Sequence, residues 1–173
     1  MAGATEKGGT VSDVGTSLTL EDRRQLEVLY ERLWRFGAVI APPGVDADDL
    51  VQEAMVRVLS RSSLAEIRHP VAYLRRTMVH VASNQRRRLG TQRRALARLS
   101  SSSDPHRDAY PSDLTSLLTL SPQARAILFL SEVEGYHFDE IGRMLGCSEQ
   151  AARKAASRGR RRLREQLDSE AMA

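Results

Sequence analysis

Positively charged side chains crowd the last helical pattern of the chain, between Ser148 and Leu167. The segment has a net charge of +5, with glutamates only at 149 and 165, and its cations are Arg153, Lys154, Arg158, Arg160, Arg161, Arg162 and Arg164. Arginine can bond a guanine edge through two hydrogen bonds, while other cations contact phosphates. We interpret the segment as a helix that docks on nucleic acid. Charge alone leaves a solvated basic helix end as the alternative.

The residues before this segment predict two more helices, which would position it. Ser121 and Pro122 suit the N-cap and first position of a helix that Gly135 ends. Asp139 begins a short second helix, and Gly146 ends it. A short helix, a glycine-containing turn and a longer helix are the parts of a helix-turn-helix motif. Double-stranded DNA is therefore the expected nucleic acid.

Small residues occupy the predicted inner face of the third helix, which Ser148 caps. Ala152, Ala156, Gly159 and Leu163 recur there at helical spacing. A glycine within a helix costs about 0.5–1 kcal/mol relative to alanine. We therefore expect a thinly packed helix that becomes fully ordered only on DNA.

Composition limits the class of protein. The chain has 173 residues, enough for one domain or two small ones, and a net charge of +4, which mildly favours an anionic partner. A single cysteine excludes an internal disulfide framework. Neither a membrane-spanning apolar run nor a secretory segment is recognisable. A cytoplasmic protein without membrane association is expected.

Helical periodicity recurs along the chain, and no segment alternates with the period of a strand. The predicted fold class is all-α, with two small helical domains over residues 18–90 and 113–168. A flexible linker over 91–112, whose first part can also be helical, joins them, and the second domain contains the helix-turn-helix. The segments 1–17 and 169–173 are predicted to be a disordered tail and a C-terminal tail.

Opposite charges separate along the first domain. The helix predicted from Asp46 to Ser60 begins with four acidic residues, Asp46, Asp48, Asp49 and Glu53, and no cation lies among them. They lack the spacing of a calcium loop and have no histidine nearby, so neither a metal nor a cofactor is predicted. The next helix, predicted to run from Pro70 to about Arg88, is rich in arginine.

Two segments of this domain carry a family resemblance. The segments DADDLVQEAMVRVL (46–59) and YLRRTMVHVASNQRRR (73–88) precede the linker and the helix-turn-helix. This order resembles a bacterial RNA polymerase sigma factor of the extracytoplasmic-function type, over nearly everything from Leu18 to Leu167. The resemblance implies promoter-specific transcription initiation by core RNA polymerase, through −35 and −10 recognition and promoter melting.

The sequence leaves one alternative functional class open and argues against another. A helix-turn-helix transcriptional regulator that binds DNA without acting as a sigma factor is the alternative. An enzyme is not expected, because the Ser, His and acidic residues form no recognisable catalytic set.

The resemblance implies three binding surfaces. The clamp helices of the largest polymerase subunit would be bound by Asp49, Leu50, Gln52 and Glu53. The loop 61–70 and the helix after it would bind the promoter −10 element. The residues of that helix are Arg75, Arg76, His80, Asn84, Arg86, Arg87 and Arg88. The −35 element would be bound by Ser148, Gln150, Arg153, Lys154, Ser157, Arg158 and Arg161. This chain departs from the family pattern at Tyr73, Val79, His80 and Asn84, which leaves the −10 base preference open.

The sequence leaves further partners and the roles of several single residues undecided. Family members are often held inactive by an anti-sigma factor, and no motif here identifies one. The tail ending in Ala171, Met172 and Ala173 is either frayed or a tag for an energy-dependent protease. Cys147 is read as a small buried hydrophobe rather than a redox sensor. The aromatics Tyr30, Trp34 and Phe36 are read as core rather than base-stacking residues. The expected location is the cytoplasm, at the nucleoid when in holoenzyme.

Overall fold

The computed structural model describes residues 20–61, 66–99 and 116–172. It confirms the all-α fold class, since these ranges contain helices and no strand. The helices are α1 (Leu20–Ile40), α2 (Ala47–Leu59), α3 (Pro70–Leu99), α4 (Pro122–Leu128) with a π-helical continuation (Phe129–Val133), α5 (Phe138–Leu145) and α6 (Glu149–Ala171). No helix there combines the length and apolarity needed to cross a membrane. The predicted tail 1–17 and linker residues 100–112 lie outside the described ranges.

Helices α1, α2 and α3 pack around a shared apolar core. Leu33, Leu50, Leu74 and Met78 from the three helices are all fully buried in it. The predicted start of α2 is confirmed, because the Asp46 side chain accepts a hydrogen bond from the Asp48 backbone N–H at 3.0 Å. This cap satisfies one of the unpaired N–H groups at the helix start.

Helix α3 is longer than the sequence predicted. The pattern placed its end near Arg88, but the helix continues through Gly90 to Leu99. Residues 91–99 have the sequence TQRRALARL and are mostly good helix formers. The single glycine before them, Gly90, does not interrupt such a run. The first part of the predicted linker is therefore helical.

The helix-turn-helix motif has glycines at both of its predicted helix ends. Gly135 and Gly146 both have a φ of 72°, in the left-handed region that glycine tolerates best. After Gly146, the Cys147 N–H donates to the Gly142 carbonyl at 2.9 Å, which completes the helix end. One boundary differs from the prediction, since His137 and not Asp139 is the N-cap of α5.

Helix α6 packs closely against the helices before it. Ala152 and Ala156 are fully buried. A Cβ atom on Gly159 would lie 2.9 Å from Leu128 Cδ1, and one on Gly142 would lie 2.7 Å from the Cys147 carbonyl oxygen. The expectation of a thinly packed helix is therefore wrong. The small residues bring the helices into close approach rather than leaving the helix loosely held.

The two halves of the chain share one core. Helix α4 packs against α1 and α3, and α5 packs against α3. Across this seam, the rings of Phe36 and Phe129 meet edge to face with centroids 6.0 Å apart. The sequence predicted two helical domains, and the structure adds that they are docked on each other.

Candidate DNA and polymerase interfaces

The predicted polymerase-binding residues lie on α2 at different depths. Asp49 and Gln52 are exposed. Glu53 is half-buried, and its carboxylate accepts hydrogen bonds from Arg57 at 2.5 Å and from Gln85 at 2.9 Å. Leu50 is fully buried in the core, so its side chain offers no surface to a partner. The outer face of α2 thus has acidic and amide groups but not Leu50.

The start of α2 is also tied to α1. The Tyr30 hydroxyl donates to the Asp48 carboxylate, and this hydrogen bond raises the pKa of Tyr30. The aromatic prediction for α1 holds for Phe36, which is fully buried, but Trp34 is 43% exposed and is not a core residue. No group of three or more potential metal ligands lies together within the described parts of the chain.

The seven residues predicted to read the −35 element are all exposed, with Ser148 at the N-cap of α6 and the other six on the helix. They are Ser148, Gln150, Arg153, Lys154, Ser157, Arg158 and Arg161. Ser148 also accepts a hydrogen bond from the Ala151 N–H at 3.1 Å, which confirms the predicted cap. The inner face is made of the buried small residues, so the helix has one protein side and one polar side.

The ion pairs of Arg153 and Arg161 on this face lie within α6 itself. Arg153 contacts Glu149 at 2.6 Å, and its guanidinium lies over the Phe138 ring, 5.0 Å from the centroid. Arg161 lies 3.6 Å from Glu165. Exposed ion pairs of this kind contribute little, so Arg161 can exchange its carboxylate for a phosphate at small cost, whereas Arg153 would also have to leave the Phe138 ring.

Arg75 of α3 does not lie on a DNA-facing surface in this structure. It is fully buried, and its guanidinium donates to both carboxylate oxygens of Glu134, at 2.8 and 2.5 Å. The same group lies over the Phe36 ring, 5.2 Å from the centroid. The prediction that Arg75 presents its charge to the −10 element does not fit this arrangement, because Arg75 is occupied by the C-terminal half.

Two more of the predicted −10 arginines also contact the C-terminal half. The Arg86 guanidinium donates to the Leu120 carbonyl and, at 3.2 Å, to the Thr119 carbonyl. Arg76 is exposed, but its guanidinium lies against the turn glycine, since a Cβ on Gly146 would be 2.5 Å from Arg76 Cζ. Both side chains therefore face protein on at least one side.

The remaining predicted −10 residues are more accessible. His80, Arg87 and Arg88 are exposed, and Asn84 is half-buried and accepts a hydrogen bond from Arg87. His80, Arg86 and Arg87 line a cleft between α3 and the C-terminal half, together with Arg162 of α6. Basic residues of both halves thus line this cleft, but none of the seven residues predicted to read the −35 element lies in it. Of the predicted loop 61–70, residues 62–65 lie outside the described chain.

Sequence reasoning missed the residue that crosses the seam most deeply. Arg125 is 2% exposed and donates to the carbonyls of Val39, Ile40 and Ala41, at 2.9–3.0 Å. One signal was available, because the segment PQARAILFL is apolar on nearly all sides and such a helix is normally buried. The role of Glu134 had no local signal, since its partner lies 59 residues away.

The single cysteine lies in the turn between α5 and α6. Cys147 is half-buried. Burial raises the pKa of its thiol, and a hydrogen bond with Gln123 opposes the shift. A redox-sensing thiol needs a lowered pKa, so these surroundings favour the packing reading.

Together these features define a helical DNA-binding class of protein, with a helix-turn-helix in one half and a second basic helix in the other. Family models match both halves. The sigma-70 region 2 model matches residues 26–92, and the sigma-70 region 4 model matches residues 114–163.

Named relatives extend the match. An RNA polymerase sigma-E factor of Streptomyces avermitilis is 31% identical over 157 residues, which cover 87% of each chain. The ECF RNA polymerase sigma factor SigE of Mycolicibacterium smegmatis is 28% identical over 148 residues, 79% of this chain and 58% of that protein. This chain belongs to the bacterial RNA polymerase sigma factors of the extracytoplasmic-function type, which confirms the resemblance.

A solved structure shares the fold. The sigma factor RpoE of Bartonella quintana, crystallised with the anti-sigma factor NepR, aligns with a TM-score of 0.62 and 19% identity. The alignment covers 87% of this chain and 98% of that chain. The common fold therefore includes both helical halves.

Proposed function

We propose that this sigma factor binds core RNA polymerase through the outer face of α2 and promoter DNA through α3 and α6. In this role it is a specificity subunit and has no catalytic activity of its own. The observation that carries the proposal is the separation of an acidic helix face from two basic helices within one sigma-family fold. Such a division suits one protein partner and two DNA elements.

The α2 face has the chemistry of a protein-binding surface. Asp49 and Gln52 are exposed beside Val56 and Leu59, which are 67% and 53% exposed. Carboxylates next to exposed apolar side chains suit a basic partner surface that also buries apolar area. Leu50 supports this face from inside the core and is not proposed as a contact.

Helix α6 has the chemistry of a recognition helix. The N-terminal part of such a helix enters the major groove, where Arg153, Lys154 and Arg158 are within reach of bases or phosphates. The later cation Arg161 suits the phosphate backbone. We assign −35 contacts to this face, including Ser148, Gln150 and Ser157.

We assign −10 contacts to the exposed part of α3. His80, Asn84, Arg87 and Arg88 can approach DNA in the arrangement described above. Arg75 and Arg86 can do so only if the C-terminal half moves away from α3, while Arg76 is exposed but lies against Gly146. Strand separation needs single-stranded bases that are held by the protein, with cations that contact the nucleic-acid backbone beside them.

Further partners follow from relatives and from the tail. An anti-sigma factor is a candidate partner because the structural relative was crystallised with one. The protease reading of the C-terminal tail stays a prediction, which a longer half-life of the Ala171→Asp, Ala173→Asp variant in the host would support. The proposed location is the cytoplasm, with the nucleoid as the site of action.

In vitro transcription with core polymerase on genomic fragments tests the function directly and would also yield the promoter sequence. The Asp49→Arg, Gln52→Ala variant should bind core polymerase about 10-fold or more weakly, because both side chains are exposed contacts. Glu31→Arg is the matched control. Glu31 is an exposed acid on the neighbouring helix α1, where it pairs with Arg35. A stand-alone transcriptional regulator would give no core-dependent transcript and would be indifferent to both changes.

A further inference from the structure

The cleft between α3 and the C-terminal half is lined by cations and not by acids. Arg86 and Arg87 of α3 and Arg162 of α6 all contribute to its lining. No aspartate or glutamate is among the described residues that line it. A concave site with three guanidinium groups and no carboxylate concentrates positive potential and attracts anions. The cleft therefore suits an anionic ligand.

Thr119 connects the two sides of the cleft. Its carbonyl accepts a hydrogen bond from the Arg86 guanidinium at 3.2 Å, and its hydroxyl donates to the Gln166 side-chain oxygen at 3.2 Å. Gln166 lies four residues after Arg162 on α6, so both side chains are on the same face of that helix. Thr119 therefore brings Arg86 close to the face of α6 that carries Arg162.

Arg162 differs from its neighbours on α6 because it has no carboxylate partner in the parts of the chain that the structure describes. Arg160 pairs with Glu132 at 2.8 Å, and Arg161 lies 3.6 Å from Glu165. Arg162 is exposed and lines the cleft. A guanidinium without a carboxylate partner can bind a phosphate group through two hydrogen bonds and loses no ion pair in doing so.

The cleft also has apolar lining. Val79, Pro122 and Leu145 are buried residues that border it, and Ser121 and Gln123 add exposed hydroxyl and amide groups. Its volume is about 580 Å³, which is within the range of sites that enclose a small organic molecule. Apolar surface beside a few polar and charged groups is the usual lining of such sites.

We propose that this cleft binds a nucleotide with two or three phosphate groups. The phosphates would contact Arg86, Arg87 and Arg162, and the base or ribose would cover Val79 and Leu145. Inorganic phosphate would use the cations alone and leave the apolar lining in water. The residues assigned to the −35 element lie outside the cleft, so a nucleotide there would leave that surface exposed.

A nucleotide in the cleft would regulate contact with the −10 element. It would cover His80 and Arg87, both of which line the cleft and are proposed −10 contacts. This consequence rests on the proposed function, whereas the binding site itself does not. Nucleotide should therefore weaken the binding of single-stranded DNA to α3.

Isothermal titration calorimetry of the full chain with GTP and ATP tests the site, in buffer without divalent cations. At least one of them should bind with a stoichiometry of one per protein. It should bind more tightly than its monophosphate, which has fewer charges, and more tightly than inorganic triphosphate, which has no base or ribose. Inorganic triphosphate that binds equally or more tightly would overturn the nucleotide class. Absence of binding by both nucleotides at millimolar concentration would overturn the site.

Arg162→Gln and Arg164→Gln are a matched pair of variants. Both arginines are exposed on α6 and both changes remove one charge, but only Arg162 lines the cleft. Arg162→Gln should weaken nucleotide binding about 10-fold, because charge-assisted hydrogen bonds to phosphate are lost. Arg164→Gln should change it by less than about 2-fold, because salt screens a charge outside the site. Equal losses in the two variants would mean general attraction to a basic surface and would overturn the proposal.

Ser83→Glu is an independent variant, because Ser83 lines the cleft and a carboxylate there would repel phosphate. It should abolish nucleotide binding while the helical circular dichroism stays that of the wild type. Nucleotide affinity equal to that of the wild type would overturn the proposal.

A fluorescent single-stranded oligonucleotide separates the site from the proposed function. The nucleotide should displace it from the wild type and should do so less effectively from Arg162→Gln. Binding of the nucleotide without displacement would contradict the −10 role of His80 and Arg87, and the nucleotide site would stand. If Arg162→Gln weakens the binding of the oligonucleotide but not that of the nucleotide, the cleft holds a DNA strand and the proposal is overturned.

Discussion

Helices α3 and α6 are both long and rich in arginine, yet their cations have different partners. On α6, Arg153 and Arg161 pair with carboxylates four residues away on the same helix. On α3, Arg75 and Arg86 bind groups 59 and 33–34 residues away, in the other half of the chain. The same residue type therefore stays exposed on one helix, where we propose DNA contacts, and fills a protein seam on the other.

The difference follows from how many sides of each helix are covered. Helix α6 packs against α4 and α5 through one face of small residues. Helix α3 packs against α1 and α2 and also against α4 and α5. An arginine on a helix with two covered sides must find a buried partner or stay out of the seam. Arg75 finds that partner in Glu134.

The largest effect should come from removing the seam arginine with the most hydrogen bonds. Arg125→Met keeps the apolar stem but leaves three carbonyls of the α1 end without their charged donor. The free energy of unfolding should fall by about 3 kcal/mol. The Tm should then drop by roughly 6–12 °C in thermal unfolding. Arg143→Met, at an exposed pair with Asp139, should change stability by less than about 0.5 kcal/mol, and a similar loss there would remove the contrast.

Two glycines should respond oppositely to alanine. A Cβ on Gly142 would lie 2.7 Å from a backbone oxygen in the turn that positions α6, so Gly142→Ala should destabilise the protein by about 1–3 kcal/mol. Gly90 of α3 has no atom within 4 Å of an added Cβ, so Gly90→Ala should stabilise the helix by about 0.5–1 kcal/mol. Chemical denaturation gives both values. Shifts of the same sign would contradict the packing described for the two helices.

Local patterns predicted most of α6 from the sequence. The serine cap, the turn glycine and the apolar spacing depend on residues within a few positions of one another, so they can be recognised in the sequence alone. The same patterns did not predict how closely α6 packs against its neighbouring helices. Counting small residues at Ala152 and Ala156 suggested a weak contact, because a sequence does not show how closely two helices approach. Gly142 and Gly159 permit that approach.

The seam was not predictable because its partners are distant in sequence. Arg75 has the same local context as a DNA-binding arginine, and only the position of Glu134 in three dimensions changes its role. Arg125 was closer to being predictable. It is the single cation in an apolar segment, and a charge so placed must be buried with partners. Which partners it finds depends on the docking of the two halves.

DNA binding should distinguish the arginines of α6 by their present partners. Once the promoter is known, Arg158→Ala should weaken −35 duplex binding by about 1–3 kcal/mol if Arg158 bonds a base. Arg153→Ala should have a smaller effect, because DNA must displace Arg153 from Glu149 and Phe138. Fluorescence anisotropy with matched and mutated −35 duplexes measures both. A larger loss for Arg153 would mean that its local contacts preorganise it for DNA.

The smallest predicted effects compare α3 and α6 most directly, because an arginine is replaced by an uncharged glutamine on each helix. Arg161→Gln should reduce the dependence of log Kd on log salt by about 1 and leave the Tm unchanged, because Arg161 is exposed and paired only at 3.6 Å. Arg86→Gln should lower stability by about 1 kcal/mol, since its guanidinium donates to two carbonyls across the seam. In the free protein, Arg86→Gln should not reduce the salt slope. A reduced slope for Arg86→Gln with unchanged stability would place Arg86 on an open DNA surface and erase the contrast between α3 and α6.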